Sequence, residues 1–108
     1  MKFEEYQTQA SQTAIYSDEY AIVYPALGLV NEAGEVAGKV KKVLRDNGGK
    51  FTPEQREMIG DEVGDVLWYM ASLCTDLGIP MERIAQNNIN KLNSRLARGV
   101  LQGSGDNR

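Results

Sequence analysis

The sequence predicts an all-α protein, one domain of four helices, and three observations carry that expectation. Apolar residues recur at three- and four-residue spacing in four segments. No segment sustains the two-residue alternation of a half-buried strand. A length of 108 residues suffices for one hydrophobic core but not for two. Hydrophobic residues make up 42% of the chain, an ordinary share for a globular protein, and no run approaches the ~18 apolar residues of a membrane span. Met1 to Glu5 shows no basic stretch followed by an apolar core, so no secretory signal is read there and a cytoplasmic location is expected.

The first helix is predicted from Phe3 to about Tyr16, with Phe3, Tyr6, Ala10 and Ala14 near one side and Thr8, Ser11 and Thr13 weakening it. Ser17-Asp18 makes a break. Tyr24-Pro25 sets the start of a second helix, because proline suits a first helical turn. That helix runs to about Asp46, is ended by Asn47-Gly48-Gly49, and carries an apolar stripe of Ala26, Val30, Ala33, Val36, Ala37, Val40 and Leu44. The third opens on Thr52 as N-cap, Pro53 in the first turn and Glu54 favoured by the helix dipole. It reaches about Leu77, stops at Gly78, and its stripe is Ile59, Val63, Val66, Leu67, Met70, Leu73, Cys74 and Leu77. The fourth, about Pro80 to Arg98, has Met81, Ala85, Ile89, Leu92 and Leu96 as its buried line. Residues 1–98 therefore form the domain. Residues 99–108, with three glycines, read as a frayed tail whose backbone N–H groups can alternatively wrap a phosphate or a neighbouring subunit.

Composition narrows the chemistry. The chain has no histidine, which removes Ser-His-Asp and Cys-His nucleophiles, ordinary zinc enzymes and histidine-ligated di-iron bundles. Its one cysteine, Cys74, cannot form an internal disulfide and lies on an apolar stripe. A net charge of −3 argues against non-specific nucleic-acid binding, which needs a basic surface.

Two acidic quartets remain, Glu32-Ala-Gly-Glu35 and Glu62-Val-Gly-Asp65. Residues three apart share a helix face, so each quartet offers two carboxylates side by side. Glu32 and Glu62 fall at the borders of their apolar stripes, and packing the stripes together brings the acidic borders together. Four carboxylates at close range repel unless cations neutralise them. Carboxylates without imidazole or thiolate suit Mg²⁺, Mn²⁺ or Ca²⁺, and Mg²⁺ held this way completes its shell with water and substrate phosphate. A solvated face is the plainer alternative, in which Glu35 and Lys39 form an ordinary i,i+4 surface pair. On the fourth helix Asn88, Lys91 and Arg95 flank the apolar line, where Lys as a point charge and Arg as a fork can meet phosphates. Trp68 is read as the anchor of a subunit contact, with stacking on a nucleobase as the alternative. Gln7 and Gln12 are further candidates for contacting a base.

These residues resemble the MazG-like members of the all-α nucleoside triphosphate pyrophosphohydrolases. The likeness covers Leu27-Gly-Leu-Val-Asn-Glu-Ala-Gly-Glu35 with Lys39-Val-Lys-Lys42, then Asp61-Glu-Val-Gly-Asp-Val-Leu-Trp-Tyr69, then Asn88-Ile-Asn-Lys-Leu-Asn-Ser-Arg95. The segment from Arg98 to Arg108 looks like the tail of some small members, while Leu96-Ala97 stands where relatives often have Tyr-Pro. The resemblance implies a four-helix bundle-like MazG fold assembling through helix packing as a dimer or tetramer, with sites near subunit interfaces. It implies hydrolysis of a nucleoside triphosphate between the α and β phosphorus atoms, giving a monophosphate and pyrophosphate, in a nucleotide house-cleaning role. Glu32, Glu35, Glu62 and Asp65 are then the ligands of Mg²⁺, for which Mn²⁺ is a substitute. Glu35 is the expected base for the attacking water, and Lys91, Arg95 and Asn88 bind the phosphates. A site of the phosphoribosyl-ATP or dUTP type shares this metal set and differs in its pocket. A helical module that binds nucleotides or a partner without turnover is the reading from another class.

Overall fold

In the computed structural model, which describes residues 1–108, four α-helices follow one another with no strand: α1 Phe3–Ser11, α2 Val23–Asp46, α3 Pro53–Leu77 and α4 Met81–Ala97. A 3₁₀ turn at Asp18–Tyr20 interrupts the link from α1 to α2. No helix is long and apolar enough to cross a membrane.

The helix ends follow local chemistry. α3 begins on a capping box in which the Gln55 N–H donates to Thr52 Oγ1 at 3.2 Å and the Thr52 N–H donates to Gln55 Oε1 at 2.9 Å. It ends at Gly78, whose φ of 70° closes the last turn and lets the Ile79 N–H reach the Cys74 carbonyl. α1 stops five residues short of the expected Tyr16. Ser11 Oγ donates to the Thr8 carbonyl at 2.6 Å and Thr13 Oγ1 to the Ala10 carbonyl at 2.9 Å, so side-chain bonds compete with continued helix. The chain from Gln12 to Ile22 is tied to α3 instead. Asp76 Oδ2 accepts from the Tyr16 hydroxyl at 2.7 Å and from the Ile22 N–H at 2.9 Å. That bond holds Ile22 at a φ of 71°, where a β-branched residue is strained. Burial, and then the bond to Asp76, push the Tyr16 phenol up to about 12.

α3 is the central element, with α2 along one side and α1 and the start of α4 on another. Ala10, Ala71, Cys74 and Met81 form the buried core, with Tyr6, Leu67 and Trp68 packed against it. Ala71 has no exposed surface and Ser72 only 3%, so α3 buries a second face that a single-stripe projection does not show. On α2 the expected stripe divides. Val36 and Val40 are half-buried and Val43 is buried, while Ala33, Ala37, Leu44 and Val30, the last 71% exposed, face outward. On α4 the buried line stops early: Met81 is buried and Ala85 half-buried, but Ile89, Leu92 and Leu96 are exposed. The radius of gyration is 16.9 Å, against about 13 Å for a compact domain of this length. α4 accordingly splays away from the α2–α3 pair.

The tail is not frayed. Arg95 donates to the Asp106 carbonyl at 2.8 Å and Arg98 to the Arg108 carbonyl at 2.6 Å, while Arg108 donates to the carbonyls of Gly105, Val100 and Leu101. Three guanidinium groups thus fold residues 99–108 back on α4.

Gln7 fixes the corner between α3 and α4. Its amide donates to Thr75 Oγ1 and to the Ile79 carbonyl, both at 3.1 Å, and accepts from the Met81 N–H at 2.8 Å. These bonds occupy a side chain that is one of the candidates from sequence for contacting a base. Gln7→Ala is expected to cost roughly 2 kcal/mol of stability, the loss of several partly buried hydrogen bonds, measured as a lower denaturant midpoint.

Candidate metal centre

The α2 register that turns Val36 and Val43 toward α3 also turns Glu32 inward, and it is half-buried. Across from it, Glu62 is half-buried and Asp65, one turn on, is exposed. One carboxylate oxygen from each of Glu32, Glu62 and Asp65 lies within 4.8 Å of the other two. Oxygens 2.0–2.1 Å from one octahedral Mg²⁺ stand about 3 Å apart when cis and about 4.2 Å when trans, so the three side chains are near enough to share one hard cation once they draw in on it. Its donor set, all oxygen and all acidic, fits that ion class and not a soft metal.

Glu35 is exposed and lies outside this group of three. It is still close enough to act on it. Burial, and then the charges of Asp65, Glu62 and Glu35, raise the Glu32 carboxyl above its ordinary pKa. Folded Glu32 keeps its proton to higher pH than the same residue in the unfolded chain, so stability falls as pH rises past the ordinary glutamate range of about 4.3. Without metal, Glu32→Gln is therefore expected to melt above the parent at pH 7. The gap should close as the pH drops to about 4, in thermal melts run with a chelator.

Lys39 brings a cation to the triad, its Nζ 3.5 Å from Glu62 Oε1. Lys39 therefore bridges two helices instead of forming the i,i+4 surface pair with Glu35 that the solvated-face alternative would have. The other flank is aromatic. Tyr69 packs edge-on to Trp68 at 5.0 Å and tilted to Tyr24 at 6.1 Å. Its phenol is raised by its interaction with the Tyr24 hydroxyl, then by burial and by the charges of Tyr24, Glu32 and Asp65. The Tyr69 ring occupies the space where any Cβ on Gly28 would lie. Tyr69 was not singled out from sequence; the available signal was Gly28, one turn before Glu32 and inside a helix.

Within one chain no ion pair joins the α4 residues to the triad. Asn88 and Lys91 are exposed, and Arg95 is buried with its guanidinium turned to the tail. The ion pairs present are Lys39–Glu62 and Arg45–Asp46. Trp68 packs against the core within the chain, its indole N–H donating to Thr13 Oγ1 at 2.8 Å.

The model of the MazG nucleotide pyrophosphohydrolase domain family matches residues 25–99, a span holding α3, α4 and all but the first two residues of α2. The chain is also 50% identical over 109 residues to Gene 37 protein of Mycobacterium phage L5, covering 95% of this chain and 96% of that one. No solved structure matches.

Proposed function

This chain belongs to the MazG nucleotide pyrophosphohydrolase family, and on that premise we propose that it hydrolyses nucleoside triphosphates with Mg²⁺, between the α and β phosphorus atoms. The products are a nucleoside monophosphate and pyrophosphate. The observation that carries the reading is the convergence of Glu32, Glu62 and Asp65 from two helices, an arrangement that repels itself without a cation. These three residues hold the ion, with Mn²⁺ as a substitute. When bound, a divalent ion supplies charge neutralisation on the phosphates and a more acidic water. Glu35, exposed beside the triad, is the fourth carboxylate of the set, and it orients the attacking water and takes its proton. House-cleaning of the cytoplasmic nucleotide pool is the role that fits this activity.

We assign the phosphate contacts of Lys91 and Asn88 to a neighbouring copy, since α4 leaves the α2–α3 pair within its own chain. Arg95 acts there by holding the tail. Three observations support assembly into a dimer or a pair of dimers. The isolated chain exposes 7846 Å², about 1,900 Å² more than the ~6,000 Å² of a compact monomer of this mass. That excess is on the scale of an obligate homodimer interface. Leu27, Val30 and Leu44 of α2 and Val63, Met70 and Leu77 of α3 are large apolar residues left exposed. Gly34 and Gly38 on α2, and Gly60 and Gly64 on α3, have open space where a Cβ would sit. Each costs about 1 kcal/mol of helix propensity, which a closely approaching neighbour offsets. Val30→Glu should shift the protein to monomer in sedimentation equilibrium and lower its turnover. A dimer of unchanged affinity would remove Val30 from the interface.

The test of the activity is pyrophosphate release across the common and modified triphosphates, with Mg²⁺ and with chelator. Metal-dependent release is the expected result. Nucleotide and Mg²⁺ that raise the melting temperature without releasing pyrophosphate would make the protein a binding module instead.

A further inference from the structure

The cation beside the triad has a second neighbour. Lys39 and Lys42, adjacent on one face of α2, line a cavity of about 200 Å³ between α2 and α3, together with Gln55, Met58, Ile59 and Asp46. That is several times the roughly 30 Å³ share of one water. Asp46 is the acid of this cavity. Arg45 holds it by two hydrogen bonds of 2.7 and 2.9 Å, and that guanidinium, opposed by a smaller burial effect and aided by Lys42, keeps its carboxyl below the ordinary range. Arg45 is thus the main partner of Asp46, which offsets Lys42 only as a smaller effect. Lys39 stands between two sites: its ammonium reaches Glu62 at 3.5 Å on one side and lines the cavity on the other.

We propose that Lys39 is an exchangeable counter-ion, which occupies Glu62 in the metal-free protein and, once a divalent cation takes that carboxylate, joins Lys42 to bind a diphosphate group in the adjoining cavity. This rests on the metal centre proposed above and adds a site for the pyrophosphate half of the substrate. The physical basis is competition followed by coupling. An ammonium and a divalent ion cannot both sit at full strength on one carboxylate, so Lys39 opposes cation binding when no anion is present. With the cation in place, two like charges drive the flexible lysine side chain away from it. It then shares a cavity with a second lysine, and an anion there relieves both. Metal and diphosphate consequently bind each other's complex more tightly than the free protein, and by the same factor.

The test is calorimetric titration of the purified full chain with Mn²⁺ alone, then with pyrophosphate at saturating Mn²⁺, for the parent, Lys39→Met, Lys39→Arg and Lys42→Met. Lys39→Met should bind Mn²⁺ alone about fivefold more tightly or better, yet bind pyrophosphate at least about fivefold more weakly. Lys39→Arg keeps the charge and should retain the parent pattern. Lys42→Met should weaken pyrophosphate while leaving Mn²⁺ alone unchanged. Opposite signs for the two ligands cannot arise from general loss of structure, and circular dichroism confirms the fold of each variant. Unchanged or weaker Mn²⁺ binding by Lys39→Met, or undiminished pyrophosphate binding, overturns the proposal while leaving the metal centre standing. Failure of the parent itself to bind Mn²⁺ overturns the metal centre and this role of Lys39 with it.

Discussion

Glu62→Gln is expected to abolish Mg²⁺-dependent pyrophosphate release while leaving the helix content intact. Glu62 gives one of the three oxygens within 4.8 Å of one another and is the residue that Lys39 touches. Glutamine keeps the shape but replaces a charged ligand by a neutral amide and frees the ammonium beside it. Loss of even an outer-shell partner costs a metal site 10- to 100-fold, so removal of a direct ligand should cost about 100-fold or more in turnover. The fold should survive and gain slightly, since one of the charges that raise Glu32 is gone. Activity within tenfold of the parent, with circular dichroism unchanged, would take Glu62 out of the ligand set.

The second large effect concerns stability. Gly28→Val should destabilise the protein by about 3 kcal/mol, at the upper end of the range for overpacking, and lower its melting temperature by more than 10 °C. Even the first added carbon would fall inside the Tyr69 ring, and that ring has little freedom, being set against Trp68 and Tyr24. Trp68 in turn is fastened to Thr13, so a displaced Tyr69 disturbs the contact of α1 with α3 as well as that of α2. Because Tyr69 also adjoins Glu32 and Asp65 electrostatically, activity should fall with stability. A melting temperature within 2 °C of the parent would show that the ring yields freely.

What was legible in the sequence depended on how local the cause was. α3 was readable at both ends because Thr52, Pro53 and Gly78 act on their own neighbours. The acidic pairing was readable because i,i+3 spacing is a property of one helix. Which carboxylates converge was not, since that depends on the rotation of α2 against α3; the observed rotation gathers Glu32, Glu62 and Asp65 and leaves Glu35 outside. The same rotation explains why Lys39 reaches Glu62 rather than Glu35, and why half of the projected α2 stripe is exposed. α1 ends earlier than its periodicity predicts because Ser11 and Thr13 bond backward to the main chain. The folded tail rests on arginine-to-carbonyl bonds that bridge up to 11 residues, for which composition holds no signal.

The central claim is that three acids from two helices form one divalent-cation site. Crystals soaked in Mn²⁺ and measured at an energy where manganese scatters anomalously test it most directly. The account predicts an anomalous peak bounded by Glu32, Glu62 and Asp65, about 2.2 Å from an oxygen of each, with the Lys39 ammonium withdrawn from Glu62. A fully soaked crystal with no peak among these residues, or with its peak elsewhere, would contradict it.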